Sequence, residues 1–128
     1  MMALDRGGQC RGVIYQLDVS SPQQLLLKLF RREFTVKPPN SMPRWINVDT
    51  KRGKRAVLAF VMNRQSPMYV GNLGPDATAD ILATACGHVG SCAEYLYNTV
   101  LHLHERGIYD RNLWHLQQLV AARIDQRF

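Results

Sequence analysis

A chain of 128 residues is long enough for one folded domain, and its composition is that of an ordinary globular protein. Hydrophobic residues make up 46% of it, and no apolar run approaches the roughly 20 residues that a membrane span needs. The net charge of +6 permits an acidic partner, but the positive residues are dispersed along the chain. We therefore expect a single domain over residues 1–128, with no nucleic-acid partner and no membrane partner.

The cysteines and the N-terminus both favour a reducing, cytoplasmic setting. The first ten residues, MMALDRGGQC, lack the long apolar stretch of a signal peptide. Cys10, Cys86 and Cys92 lack C-x-x-C spacing and indicate free thiols, and the histidines add no metal-binding motif. We expect no metal and no cofactor, and we expect Cys86 and Cys92 to be small buried hydrophobic residues.

A strand and then a helix are predicted at the N-terminal end. Residues 10–17, CRGVIYQL, are rich in β-branched and aromatic side chains and predict a strand. Ser21 as the N-cap and Pro22 at the first helical position predict a helix. This helix should continue to about Glu33 and end before the proline pair of KPPN.

A hairpin is predicted next. The alternation of polar and apolar residues in RWINVDT predicts a half-buried strand. The continuous apolar run AVLAFVM, residues 56–62, predicts a partner strand that is buried on both faces. The basic segment KRGKR, residues 51–55, then forms the solvated turn between them, and Trp45 is expected in the core.

Three helices complete the chain. Asp76 opens the first, DATADILATA, and the segment GHVGS then interrupts the chain. Ser91 and Glu94 form a capping box that starts the second helix, which Gly107 ends. The third helix begins near Asp110 and buries an apolar stripe, which consists of Leu113, Leu116, Val120 and Ile124. This order of elements predicts an α+β domain.

The first helix carries an acidic residue on its apolar side. Leu26, Leu29 and Phe30 form an apolar stripe whose next member is position 33, where the sequence has Glu33. Periodicity alone leaves two interpretations open. Glu33 is either a solvated acid at the helix end, paired with a neighbouring basic residue, or a general base held against an apolar surface.

Six segments, in chain order, carry a resemblance to a known family: CRGVIYQL, LLLKLFRREF, PRWINV, AVLAFVMNRQSPMYVGNL, DILATACGHVGSCAEYLYNTVLHLHERGI and LWHLQQLV. Together they resemble the ChaC-type gamma-glutamylcyclotransferases, the glutathione-specific branch of that fold, from about residue 3 onward. The most specific part is the R-R-E end of the first helix together with a G-x-x-G-x-x-x-E-Y-L stretch about sixty residues later.

The resemblance implies a mixed β-sheet or barrel with flanking helices, and an enzyme of the lyase class. The substrate would be glutathione or another γ-glutamyl compound, which is split into 5-oxoproline and, for glutathione, cysteinylglycine. By position, Glu33 matches the general acid/base and Tyr95 matches a residue of the glutamyl pocket. The residue pattern leaves a second interpretation of Tyr95 equally open, as a core aromatic beside Leu96 and Val100.

One feature of the resembling family has no counterpart in the sequence. Its members begin with a strand and a Tyr-Gly-Ser-Leu loop, and no Y-G-S-L occurs here. We therefore expect an N-terminally truncated form that corresponds to the C-terminal two-thirds of the family domain. Such a form would leave a sheet edge exposed, and this predicts a homodimer through the N-terminal edge. The alternative function is then a non-catalytic module that binds a partner or dimerises.

Overall fold

The structure is a computed structural model in which residues 3–18 and 20–127 are described. Within these ranges it contains four helices and two small antiparallel sheets, which confirms the predicted α+β class. The chain forms two compact units, residues 1–8 with 13–70 and residues 9–12 with 71–128. No helix in the described ranges is both long enough and apolar enough to cross a membrane.

The first unit contains the predicted helix α1, Pro22–Glu33. Its start at the proline and its end at the glutamate both match the prediction. Ser21 occupies the N-cap position, but its side chain makes no capping hydrogen bond. The backbone there has ψ of 55°, outside the extended region from which a serine hydroxyl reaches the first helical N–H groups.

The predicted hairpin follows α1 and consists of β1, Ser41–Thr50, and β2, Gly53–Met62. The two strands pair antiparallel along their whole length, from Ser41 opposite Met62 to Thr50 opposite Gly53. The turn is closed by the Thr50 hydroxyl, which donates to the Gly53 carbonyl at 2.7 Å. The basic residues of the turn are exposed, as predicted.

Burial in the hairpin differs from the prediction at two places. The apolar run of β2 is half-buried from Val57 to Met62 and is not buried on both faces. Trp45, expected in the core, is 75% exposed. Trp45 lies opposite Leu58 and shares a face of the hairpin with Phe60, because directly opposite residues and every second residue lie on one side. Helix α1 contacts this face at Phe60, so Trp45 lies outside the covered part.

The predicted strand at 10–17 is wrong, because the structure assigns no strand to these residues. The chain approaches the hairpin earlier, at Leu4, which pairs in parallel with Val61. Asp5 fixes this contact by accepting hydrogen bonds from Arg64 Nε at 2.9 Å and from the Tyr69 hydroxyl at 3.1 Å. A β-favouring sequence forms a strand only where a partner backbone is within reach, and among the described residues β2 pairs with β1 and, in one isolated bridge, with Leu4.

The second unit contains helices α2, Pro75–Leu82, α3, Cys92–Glu105, and α4, Arg111–Asp125. Between α2 and α3 lies a minimal hairpin of β3, Cys86–Gly87, and β4, Gly90–Ser91. Arg123 ties α4 to α2 through hydrogen bonds to two aspartates of that helix. The core of the unit consists of Ala79, Leu96, Val100 and Val120.

The predicted boundaries of α3 and α4 are confirmed, whereas α2 begins at Pro75 and ends at Leu82, three residues before the predicted end. The Ser91 hydroxyl accepts from the Glu94 N–H at 3.1 Å at the start of α3, and the Asp110 side chain caps α4. Gly107 ends α3 in the left-handed region, with φ of 69°. The Ile108 N–H reaches back to the Leu103 carbonyl at 2.9 Å, which is the bond of a Schellman motif.

The predicted burial of the cysteines is only partly right. All three thiols are free, and Cys92, the first residue of α3, is half-buried. Cys86 is exposed, because the minimal hairpin to which it belongs is too short to present a buried face. Cys10 is also exposed.

Candidate active site

Glu33 is the last residue of α1, and its side chain lies on the partly shielded side of the helix. The side chain is 28% exposed. Leu29 and Phe30, the stripe residues of the preceding turn, are half-buried like Glu33, whereas Arg31 and Arg32 are exposed. The carboxylate therefore continues the apolar stripe, as the sequence pattern indicates.

Three phenylalanine rings fix the end of α1 on β2. Phe30 and Phe34 lie 5.4 Å apart between ring centroids, and each meets Phe60 edge-on, at 6.0 Å and 5.9 Å. Edge-to-face contacts at these distances are favourable because the positive ring edge meets the negative ring face. Phe30 precedes Glu33 by almost one turn and Phe34 follows it directly. The backbone that carries the carboxylate is therefore held between two aromatic anchors.

Among the described residues, the Glu33 carboxylate forms one ion pair, with Arg32. Arg32 Nε lies 3.8 Å from Glu33 Oε1, while the Arg32 side chain is 83% exposed. This separation exceeds that of a hydrogen bond, and a pair so open to water contributes little to stability. Glu33 is thus both partly shielded and loosely paired, so each of the two interpretations from the sequence describes part of its environment.

Tyr95 lies in the first turn of α3, in the second unit. Its side chain is 51% exposed, so the interpretation of Tyr95 as a core aromatic is wrong. The neighbouring Leu96 and Val100 take the buried side of the helix. The phenol is available to a ligand, because the described contact of this residue, from the Thr99 hydroxyl at 2.8 Å, is to its backbone carbonyl.

One shallow surface cavity lies at the start of α4, and neither Glu33 nor Tyr95 lines it. Its walls combine two aromatic rings with polar and basic side chains, namely Tyr109, Arg111, Asn112, Trp114, His115 and Gln118. Tyr109 and Trp114 stack on each other at 5.8 Å, which uses one face of each ring. The cavity contains no carboxylate, so it lacks the group that the predicted proton transfer requires.

The described residues contain no group of three or more histidine, cysteine, aspartate or glutamate side chains placed to hold a metal ion. Glu33 is a carboxylate in a partly apolar setting, and such a group can accept a proton and return it. Glu33 belongs to the first unit and Tyr95 to the second. Helical periodicity did not predict which neighbouring basic residue pairs with Glu33. In the structure this residue is Arg32.

Comparison with known proteins identifies the family. The sequence model of the ChaC-like proteins matches residues 1–123, and the chain therefore belongs to the ChaC-like family. A curated relative is the glutathione-specific gamma-glutamylcyclotransferase of Escherichia coli K12, which is 29% identical over 129 aligned positions. The match covers all of this chain and 55% of that relative, so the chain spans about half the length of the curated relative.

Proposed function

We propose that this chain is a gamma-glutamylcyclotransferase that cleaves glutathione to 5-oxoproline and cysteinylglycine. The observation that carries the proposal is its membership of the ChaC-like family, together with the similarity to a glutathione-specific enzyme of that name. The structure supports the proposal through Glu33, which is half-buried at the R-R-E end of α1. We also propose that β1, β2 and the parallel segment at Leu4 belong to the mixed sheet of the gamma-glutamylcyclotransferase fold.

The reaction needs little machinery because nucleophile and electrophile belong to one molecule. The α-amino nitrogen of the glutamyl group attacks the γ-amide carbonyl carbon, and a five-membered ring closes. The bond from this carbon to the cysteine nitrogen then breaks. Holding the folded substrate supplies much of the advantage of intramolecular reaction, so no serine or cysteine nucleophile is required.

In this proposal Glu33 moves the proton. Its carboxylate takes a proton from the α-ammonium group, which frees the nucleophile, and returns it to the departing cysteine nitrogen. The attacking nitrogen loses a second proton when it becomes the amide N–H of 5-oxoproline, and water carries this proton to the released amine, which leaves as an ammonium group. One carboxylate can perform both steps because the proton that it gains first is the proton that it gives second. Tyr95 binds the glutamyl group of the substrate through its exposed phenol.

A cytoplasmic location is consistent with glutathione as the substrate. Glutathione is abundant where thiols stay reduced, and three free cysteines suit such a setting. We therefore include a cytoplasmic location in the proposal.

The test is release of 5-oxoproline from glutathione by the purified chain. Glu33→Gln keeps the shape of the side chain and removes the base, and we expect turnover to fall by roughly 10²–10⁴-fold. Glu105→Gln is the matched control, because Glu105 is also the last residue of a helix and is exposed. Full turnover by Glu33→Gln, or an inactive wild type, overturns the proposal.

A second candidate function, a dimerising module without catalysis, is favoured by the edge of the hairpin. In the described ranges β1 has β2 as its only strand partner, and Trp45 on β1 is largely exposed. An open strand edge beside an exposed apolar side chain favours pairing with a second chain. Light scattering tests this candidate, and a strictly monomeric species at high protein concentration excludes it.

A further inference from the structure

Arg32 and Glu33 present opposite charges side by side at the end of α1. Arg32 Nε lies 3.8 Å from Glu33 Oε1, too far for a hydrogen bond, so the N–H groups of the guanidinium are not consumed by this carboxylate. The Arg32 side chain is largely in solvent. An incoming anion therefore meets available donors next to the carboxylate.

The α-amino acid end of a γ-glutamyl compound carries the complementary pair of charges. Its ammonium nitrogen and its carboxylate oxygens are attached through one carbon and lie roughly 3 Å apart by standard bond lengths. A base that takes a proton from this ammonium must lie within hydrogen-bond distance of the nitrogen. The carboxylate on the same carbon then lies next to the base, where Arg32 is placed.

We propose that Arg32 and Glu33 together bind the zwitterionic α-amino acid end of the substrate, with Glu33 on the ammonium and Arg32 on the α-carboxylate. This inference rests on the proposed function and deepens it, because it adds Arg32 as a substrate-binding residue. The planar guanidinium matches a carboxylate with two parallel hydrogen bonds. The same contact that recognises the substrate brings its ammonium to the base.

Helix geometry separates Arg32 from the other basic residues of α1. Successive residues are about 100° apart around a helix, so Arg31 lies about 160° from Glu33 and Lys28 about 140° from it. Arg32 is about 100° away, and its long side chain closes the gap, as the measured distance shows. Arg31 is exposed and belongs to the same turn. It is therefore the matched control for any loss of positive charge.

The experiment compares Arg32→Gln, Arg32→Lys and Arg31→Gln in the full chain. The probes are glutathione and an analogue without the α-carboxylate, in which 4-aminobutyrate replaces the glutamyl group and the nucleophilic amine is kept. With glutathione, we expect Arg32→Gln to raise KM about tenfold or more, since hydrogen bonds between charged groups are lost. Arg32→Lys should recover part of this loss, and Arg31→Gln should leave KM within about twofold.

With the analogue, Arg32→Gln should add no further loss, because the carboxylate that Arg32 binds is already missing. Melting temperatures should stay unchanged in all three variants, since these side chains are exposed. Equal KM increases for Arg32→Gln and Arg31→Gln, or the same Arg32→Gln loss with both probes, overturn the inference.

Failure of the proposed function gives a different result. If the wild type releases no 5-oxoproline, the proposed function is wrong. Glutathione binding by the wild type, Arg32→Gln and Arg31→Gln is then compared by calorimetry. If Arg32→Gln weakens glutathione binding and Arg31→Gln does not, Arg32 binds the substrate as inferred even though the chain does not catalyse the reaction. Equal binding in both variants, or no binding by the wild type, overturns the inference as well.

Discussion

Replacing Phe60 with alanine should destabilise the first unit by about 2–3.5 kcal/mol. A fully buried phenylalanine costs roughly 3–5 kcal/mol when truncated to alanine, and Phe60 is half-buried, so about half of this applies. The two edge-on ring contacts, to Phe30 at 6.0 Å and Phe34 at 5.9 Å, add a further ~0.5–1 kcal/mol. Loss of the ring also frees the end of α1, so turnover that depends on Glu33 should fall in parallel.

Urea denaturation followed by circular dichroism measures this loss. Trp45→Ala is the control, because Trp45 lies on the same face of the hairpin and is the larger side chain but is mostly exposed. We expect Trp45→Ala to cost less than about 1 kcal/mol, in proportion to the surface it buries. Phe60→Leu, which keeps most of the volume, should lie between the two. A Phe60→Ala loss no larger than that of Trp45→Ala would refute the role of the aromatic trio.

Two further predictions concern the backbone and the N-terminal segment. Gly107→Ala should cost about 1 kcal/mol in thermal or urea unfolding, because Gly107 has φ of 69° while no atom lies within 4 Å of the added methyl group; Gly107→Asn should cost less, and equal losses would contradict a conformational cause. The hydrogen bond from Arg64, aided by the Arg6 N–H and the Tyr69 hydroxyl, holds the pKa of Asp5 below its ordinary value of 3.8. The resulting stabilisation is present above pH 3.8 and disappears as the pH falls through the lowered pKa. Asp5→Asn should therefore melt below the wild type at neutral pH, with the two melting curves converging in acid; a difference that does not depend on pH would contradict this.

Most helices of this chain could be predicted because their signals are local. Pro22 fixes the start of α1 through its own φ angle, and Asp110 caps α4 with its own side chain. Gly107 is likewise sufficient to end α3, because glycine alone enters the left-handed region at little cost. Each of these features depends on residues within one turn of the helix end.

The misplaced strand and the exposed tryptophan depend on residues far away in the sequence. Residues 10–17 have the composition of a strand, but among the described residues β2 pairs with β1 and, at Val61, with Leu4. Trp45 has the composition of a core residue, but its burial depends on how far α1 extends over the hairpin. Composition shows that a segment can form a strand or be buried, but a strand forms only where a partner backbone is available, and a side chain is buried only where another element covers it.

In the candidate site, too, some features follow from the local sequence and others do not. The position of Glu33 on the apolar stripe follows from helical periodicity, and its half-buried side chain agrees with that pattern. The role proposed for the residue rests on the family resemblance, since a helix-end carboxylate has many uses. Its pairing with Arg32 depends on side-chain rotamers, which a sequence pattern does not specify.

The two tryptophans of the chain give each unit its own fluorescent reporter. Trp45, in the first unit, is mostly in water, so its emission should lie at long wavelength and should be readily quenched by iodide. Trp114, in the second unit, is half-buried against Tyr109 and should be protected from the quencher. Variants that keep one tryptophan each, Trp114→Phe and Trp45→Phe, would therefore follow the unfolding of the two units as separate optical signals.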